Sequence, residues 1–163
     1  MKHQGISFRS KLHVSHSDSK ALYLMGLLFV VYCLISLVNH YCFRTSAFDL
    51  GIYNQAVYHY AHGQLSFSSL LIPSFRNVLT DHFALWPALV SPLWWIFGSY
   101  TLLLTQISFL LIGAWGVYRF VQEEDGSNAV ARTALMYYGL FWGLLSALCH
   151  DYHDNSVSIG LTP

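Results

Sequence analysis

The sequence predicts an all-α integral membrane bundle: about three transmembrane helices, with two interfacial helices in the first outer loop. Three observations carry that reading. The chain is 55% hydrophobic and 10% charged over its 163 residues, against about 25% charged in an ordinary soluble domain. Its mean hydropathy is +0.43. Lys20 and Arg44 bracket a stretch with no Asp, Glu, Lys or Arg, longer than the roughly 20 residues a spanning helix needs. A chain this poor in charge cannot cover its surface with water-soluble groups, so lipid is its expected solvent and membrane lipid its expected partner. A net charge of zero argues against nucleic acid as a partner.

Residues 1–20 read as a cytoplasmic tail, because Lys2, Arg9, Lys11 and Lys20 precede the first span and basic residues stay inside. The membrane domain is then 21–163, and its first span covers about 21–43. A cleaved signal peptide is the competing reading. Its apolar region should be only about 7–15 residues long, and Thr45-Ser46-Ala47 is a poor cleavage site, so an uncleaved anchor is favoured. Two further apolar runs give spans at about 101–121 and 130–149, joined by the polar turn 122–128.

The segment 44–100 forms the first outer loop. An interfacial helix is expected over about 47–62, with Leu50, Tyr53, Val57 and Tyr60 on one face and Gly51, Gln55, His59 and His62 on another. Gly63 is a reasonable stop. Residues 64–77, with Pro73, read as irregular. A second interfacial helix is expected over about 82–97. This piece is apolar and rich in Trp but short, and Pro87 and Pro92 interrupt it. Were it to span, Arg119 and Arg132 would flank an outer loop; laid in the interface, it leaves them inside with the N-terminal lysines. The second arrangement brings the acidic and histidine-bearing motifs to one face. A second outer loop begins at 150–163, and the apolar Val157–Leu161 stretch suggests a fourth helix cut short, as in an N-terminal fragment of something longer.

Each polar motif supports two readings. Asp49 fits a capping box with Ser46 and an acid at a helix N-terminus. It also fits a general base, since a partly desolvated carboxylate can have its pKa raised towards neutrality. His59 and His62 share a helix face and read first as wet interfacial histidines; two ligands fall short of a zinc site. Asp81 suits an N-cap and equally a partner that fixes the tautomer of His82. Asp151-Tyr152-His153-Asp154 is either a solvated loop or a cluster able to hold a divalent cation, Mg or Mn, against a phosphate. Cys42 and Cys149 both fall at outer span ends, where a bridge is conceivable but not readable from spacing. No Walker loop, GxGxxG, HExxH or GxSxG pattern is present, which leaves dinucleotide, ATPase, zinc-protease and serine-hydrolase readings without support.

Phe48-Asp49-Leu50-Gly51-Ile52-Tyr53-Asn54-Gln55, then Gly63, Asp81-His82-Phe83, Pro92-Leu93 and Thr101-Leu102-Leu103-Leu104-Thr105-Gln106 resemble the bacterial predicted membrane proteins of domain of unknown function 2079. Asp151 to Pro163 resembles that family more loosely, through His153. The family is in turn similar to the GT-C glycosyltransferases, multispanning enzymes that take a sugar from a polyprenyl-phosphate carrier at the outer face of the membrane. The resemblance implies a GT-C-like N-terminal module in the bacterial inner membrane and a polyprenyl-phosphate sugar donor. It implies Asp49 as the catalytic acid of the first loop, and Asp151, His153 and Asp154 as the second-loop motif. Gln55, His59, Asp81, His82 and His153 are then candidates to contact substrate or phosphate, and Asp151 and Asp154 to hold metal. The sequence departs from that pattern by lacking a paired acid after Asp49 and by ending before the later spans. A transporter or flippase-like protein is the alternative, weakened by the scarcity of ionisable residues inside the spans; a non-catalytic membrane scaffold is another.

Overall fold

The computed structural model describes residues 16–45, 48–71, 76–80, 85–150 and 152. The chain is nearly all helix: α1 (His16–Tyr41), α2 (Asp49–Ala61), α3 (Trp86–Val90), α4 (Trp94–Phe97), α5 (Thr101–Asp125), α6 (Asn128–Gly139) and α7 (Trp142–His150), with a two-stranded ribbon of β1 (Phe67–Ser68) and β2 (Arg76–Asn77). Two helical stretches are long and apolar enough to cross a membrane, Ser19–Tyr41 and Trp86–Asp125.

The bundle forms because each long helix carries a stripe of apolar or small residues at helical spacing. Ala21, Leu28 and Tyr32 of α1 meet Ile107, Leu110, Ala114 and Tyr118 of α5, Ala131 and Leu135 of α6, and Leu144 and Leu148 of α7. The remaining faces of α1 are apolar too, yet Leu22, Phe29, Val30, Leu34 and Val38 are exposed. A helix that is hydrophobic all round and only partly buried needs an apolar solvent around it. These faces suit a membrane-spanning helix.

Lys20 of α1 and Arg132 of α6 line one cavity, while at the far end Asn39 Nδ2 donates to the Cys149 carbonyl of α7 (3.3 Å) and His40 meets Ser99, just ahead of α5. Thus α1 runs parallel to α6–α7 and antiparallel to α5. A second core covers the far end: Leu50, Ile52, Tyr53, Ala56 and Val57 of α2 pack with Leu102 and Leu103 in the first turn of α5, and with Tyr152.

The structure redraws several expected elements. The apolar run 130–149 is two helices rather than one. Gly139 lies so close to α1 that a Cβ there would meet Leu28 Cδ1 at 2.4 Å. Its carbonyl, which an unbroken helix would offer to the amide four residues on, accepts from the buried Tyr32 hydroxyl (2.7 Å). The described part of the expected 82–97 helix is not one α-helix either: α3 and α4 are separated by a 3₁₀ turn, Ser91–Leu93, around Pro92. The loop 64–77 contains an antiparallel ladder, Phe67 opposite Asn77 and Ser68 opposite Arg76. It is tied to α2 because buried Ser66 donates to Asn77 Oδ1 (2.9 Å) and accepts from the Tyr60 hydroxyl (2.8 Å). Helix α2 starts at Asp49 with Phe48 as N-cap and no side-chain cap; Ser46 lies outside the described residues. Cys33, Cys42 and Cys149 are free thiols.

Candidate functional site

The end of α1, the start of α2 and the turn before α5 converge on a cavity of about 620 Å³, whose lining includes His40, Thr45, Gly51, Asn54, Ser99 and Tyr100. The turn that follows α1 builds one wall. It closes with Arg44 N–H donating to the Asn39 carbonyl (2.9 Å) and Phe43 N–H to the His40 carbonyl (3.0 Å), which forces Phe43 to φ 54°. Glycine usually takes that left-handed position at a helix C-terminus. Here an aromatic does, and it lines the cavity while 95% exposed.

His40 is held from both ring nitrogens, Nδ1 by Thr45 Oγ1 (3.0 Å) and Nε2 by Ser99 Oγ (3.2 Å). The Tyr100 ring stands edge-on to it, centroids 4.8 Å apart. Asn54 Nδ2 donates to the Ser99 carbonyl (3.3 Å). Its Oδ1 is buried without a hydrogen-bond partner, although buried polar atoms are normally satisfied. The fixed imidazole, the Thr45 and Ser99 hydroxyls and the aromatic edge of Tyr100 give the cavity a mixed polar lining that suits a hydroxyl-bearing ligand.

Asp49 is exposed in the first turn of α2, next in sequence to the cavity residues Leu50 and Gly51, but is not itself part of the lining. Gln55 faces away, gripping Ser69: its Oε1 accepts from the Ser69 amide (2.8 Å) and its Nε2 donates to Ser69 Oγ (3.1 Å). His59 Nδ1 meets Gln64 Oε1 (2.8 Å) and His62 Nδ1 the Tyr58 carbonyl (2.7 Å); both fasten the end of α2. Asp81, His82, Asp151, His153 and Asp154 lie outside the described residues. Tyr152, in the middle of the last motif, is described. It is fully buried between Tyr53 of α2 and Trp86 of α3, each with ring centroids 5.5 Å away. Tyr152 is therefore anchored at the α2 end of the bundle. Among the described residues no group of three or more His, Cys, Asp or Glu gathers as a metal site.

A family model described as predicted membrane protein, domain of unknown function 2079, matches residues 39–158. The chain belongs to this family. The match takes in α2, α5, the cavity and the motif around Tyr152, and leaves out most of α1. No curated protein and no solved structure matches the chain.

Two of the cavity's key groups carry sequence signals weaker than the acidic motifs. His40 is a polar residue closing an otherwise uncharged span, and Asn54 sits within the Phe48–Gln55 motif. Neither identity nor spacing shows that the chain folds Ser99 back onto both.

Proposed function

We propose that this chain is a glycosyltransferase, or the N-terminal part of one, that moves a sugar from a polyprenyl-phosphate donor at the outer face of a bacterial cell membrane. The observation that carries the reading is the seat of Tyr152 against Tyr53. It supports a common compartment for Asp49 and the Asp151–Asp154 motif, without which the two could not act on one molecule. Lys20 and Arg132, which line one cavity at the opposite end, support a cytoplasmic N-terminus.

The outward apolar faces of α1 and α5 suit an isoprenoid tail. The cavity at His40 and Asn54 suits hydroxyl-bearing groups. Asp49 accepts the proton of the acceptor hydroxyl as that oxygen bonds to the anomeric carbon; the carbon–phosphate oxygen bond breaks, and the polyprenyl phosphate leaves with the electron pair. One displacement inverts the anomeric centre. Asp81 with His82, and His153, orient the phosphate; Gln55 and His59 hold the helix that carries Asp49. The oxygen donors of Asp151 and Asp154 would suit a hard divalent cation such as Mg or Mn, which would supply charge compensation for phosphate.

The test is incubation of the purified protein with polyprenyl-phosphate-linked sugars and a hydroxyl acceptor. Transfer is expected, with Asp49→Asn losing about 10²–10⁴-fold in turnover and unfolding at the wild-type temperature. Absence of transfer by the wild type, or transfer indifferent to Asp49→Asn, overturns the proposal. A scaffold in which Asp49 serves only the helix would lose stability instead.

A further inference from the structure

Away from the candidate site, at the other end of the bundle, a cavity of about 380 Å³ is lined by Ser19, Lys20, Tyr23, Leu24 and Arg132. It shares Leu24 and Arg132 with a trench of about 880 Å³ whose walls include Met136, Tyr137, Leu140, Phe141 and Trp142. The trench exists because α6 stops at Gly139 and α7 restarts at Trp142. That break turns Phe141 and Trp142 outward, 52% and 74% exposed. Among the described residues neither Lys20 nor Arg132 has an anionic partner. Arg119, the cation one helix over, is already paired with Glu123 (3.3 Å).

Two cations from distant parts of the sequence thus face one small cavity, flanked by the Ser19 and Tyr23 side chains, at the mouth of a long apolar trench. Basic pockets between spanning helices on the cytoplasmic side recruit anionic lipid head groups, and an apolar trench leading from such a pocket accommodates acyl chains. We infer that this face binds an anionic phospholipid, with the phosphate between Lys20 and Arg132 and a chain along Leu24, Met136 and Leu140. The site is independent of the transferase reading.

The experiment uses the full chain extracted in mild detergent and exposed to mixed micelles of phosphatidylglycerol and phosphatidylcholine, with retained lipid read by native mass spectrometry. Phosphatidylglycerol is expected to be retained in preference. The Lys20→Ala/Arg132→Ala double variant should lose roughly 30-fold of that preference, the effect of two basic residues near an anionic leaflet. The charge-conserving Lys20→Arg/Arg132→Lys variant should keep it, which separates loss of charge from loss of fold. Equal retention of the two lipids, or an unchanged preference in the alanine variant, overturns the inference. Competition by free glycerol phosphate as strong as by the lipid would make the site a phosphate site and overturn the role of the trench. Cross-linking of Tyr137→Cys between copies, undiminished by phosphatidylglycerol, would assign the trench to a second copy and overturn it as well.

Discussion

The rings of Tyr152 and Tyr53 meet edge to face, 5.5 Å between centroids and 72° between planes. This contact fastens Tyr152 to the first helix after α1. Tyr152 is fully buried, and Trp86 completes its seat. Truncation of a buried aromatic costs about 3–5 kcal/mol. Tyr152→Ala should therefore lower the unfolding temperature in detergent markedly. A double-mutant cycle with Tyr53→Ala should return a coupling of about 1 kcal/mol; additive effects would mean the rings do not act together.

The contact between Gly139 and Leu28 makes a second expectation. A methyl at position 139 meets three atoms of the Leu28 side chain, the nearest at 2.4 Å, in a buried seam that holds the Tyr32 hydrogen bond. Gly139→Ala should destabilise by about 1–3 kcal/mol, the range for overpacking a core. Shortening Leu28 to Ala in that background should recover part of the loss. Thermal unfolding of the four proteins decides it.

Gly98 sets the corner between the Trp-rich segment and α5. Its backbone sits at φ 54°, ψ −133°, and its carbonyl accepts from Thr101 Oγ1 (2.7 Å). Positive φ with ψ near −133° is a region essentially reserved for glycine, and a side chain there costs about 1–3 kcal/mol. Gly98→Ala should destabilise by that amount even though nothing lies within 4 Å of the added carbon. Because the corner turns Trp95 towards α2, where its Nε1 donates to the Ala61 carbonyl (3.2 Å), the variant should also shift the tryptophan emission.

Phe43 shows the opposite balance. It holds a conformation suited to glycine while almost wholly exposed at the mouth of the cavity. Strain of this kind collects at functional sites. Phe43→Gly should raise stability by up to about 1 kcal/mol and, on the proposed transferase reading, lower turnover of a lipid-linked substrate. Equal or higher turnover would show that the aromatic serves no binding role.

Asn54 supplies a test of the cavity itself. Asn54→Leu removes the buried Oδ1 that has no partner and the bond to Ser99. The losses offset, so stability should change by less than about 1 kcal/mol. Binding of a hydroxyl-bearing ligand, measured by calorimetry, should weaken about tenfold through the loss of a polar group from the cavity wall.

The sequence by itself determined the apolar character of the chain and the helices α1, α2 and α5. The uncharged stretch before Arg44, the apolar run from Thr101 and the two-faced pattern of Leu50, Tyr53 and Val57 are local signals, because period and charge act within a turn or two. They locate α1, α5 and the buried face of α2. Tertiary structure alone decided the rest. The break at Gly139 contains no proline and comes from the approach of Leu28 and Tyr32, more than a hundred residues earlier in the chain. The cavity depends on Ser99 reaching both His40 and Asn54, and the anchoring of Tyr152 on its entering the core beside Tyr53. Each is a contact between residues far apart in the chain, and side-chain fit across such distances leaves no periodic trace in the order of the amino acids.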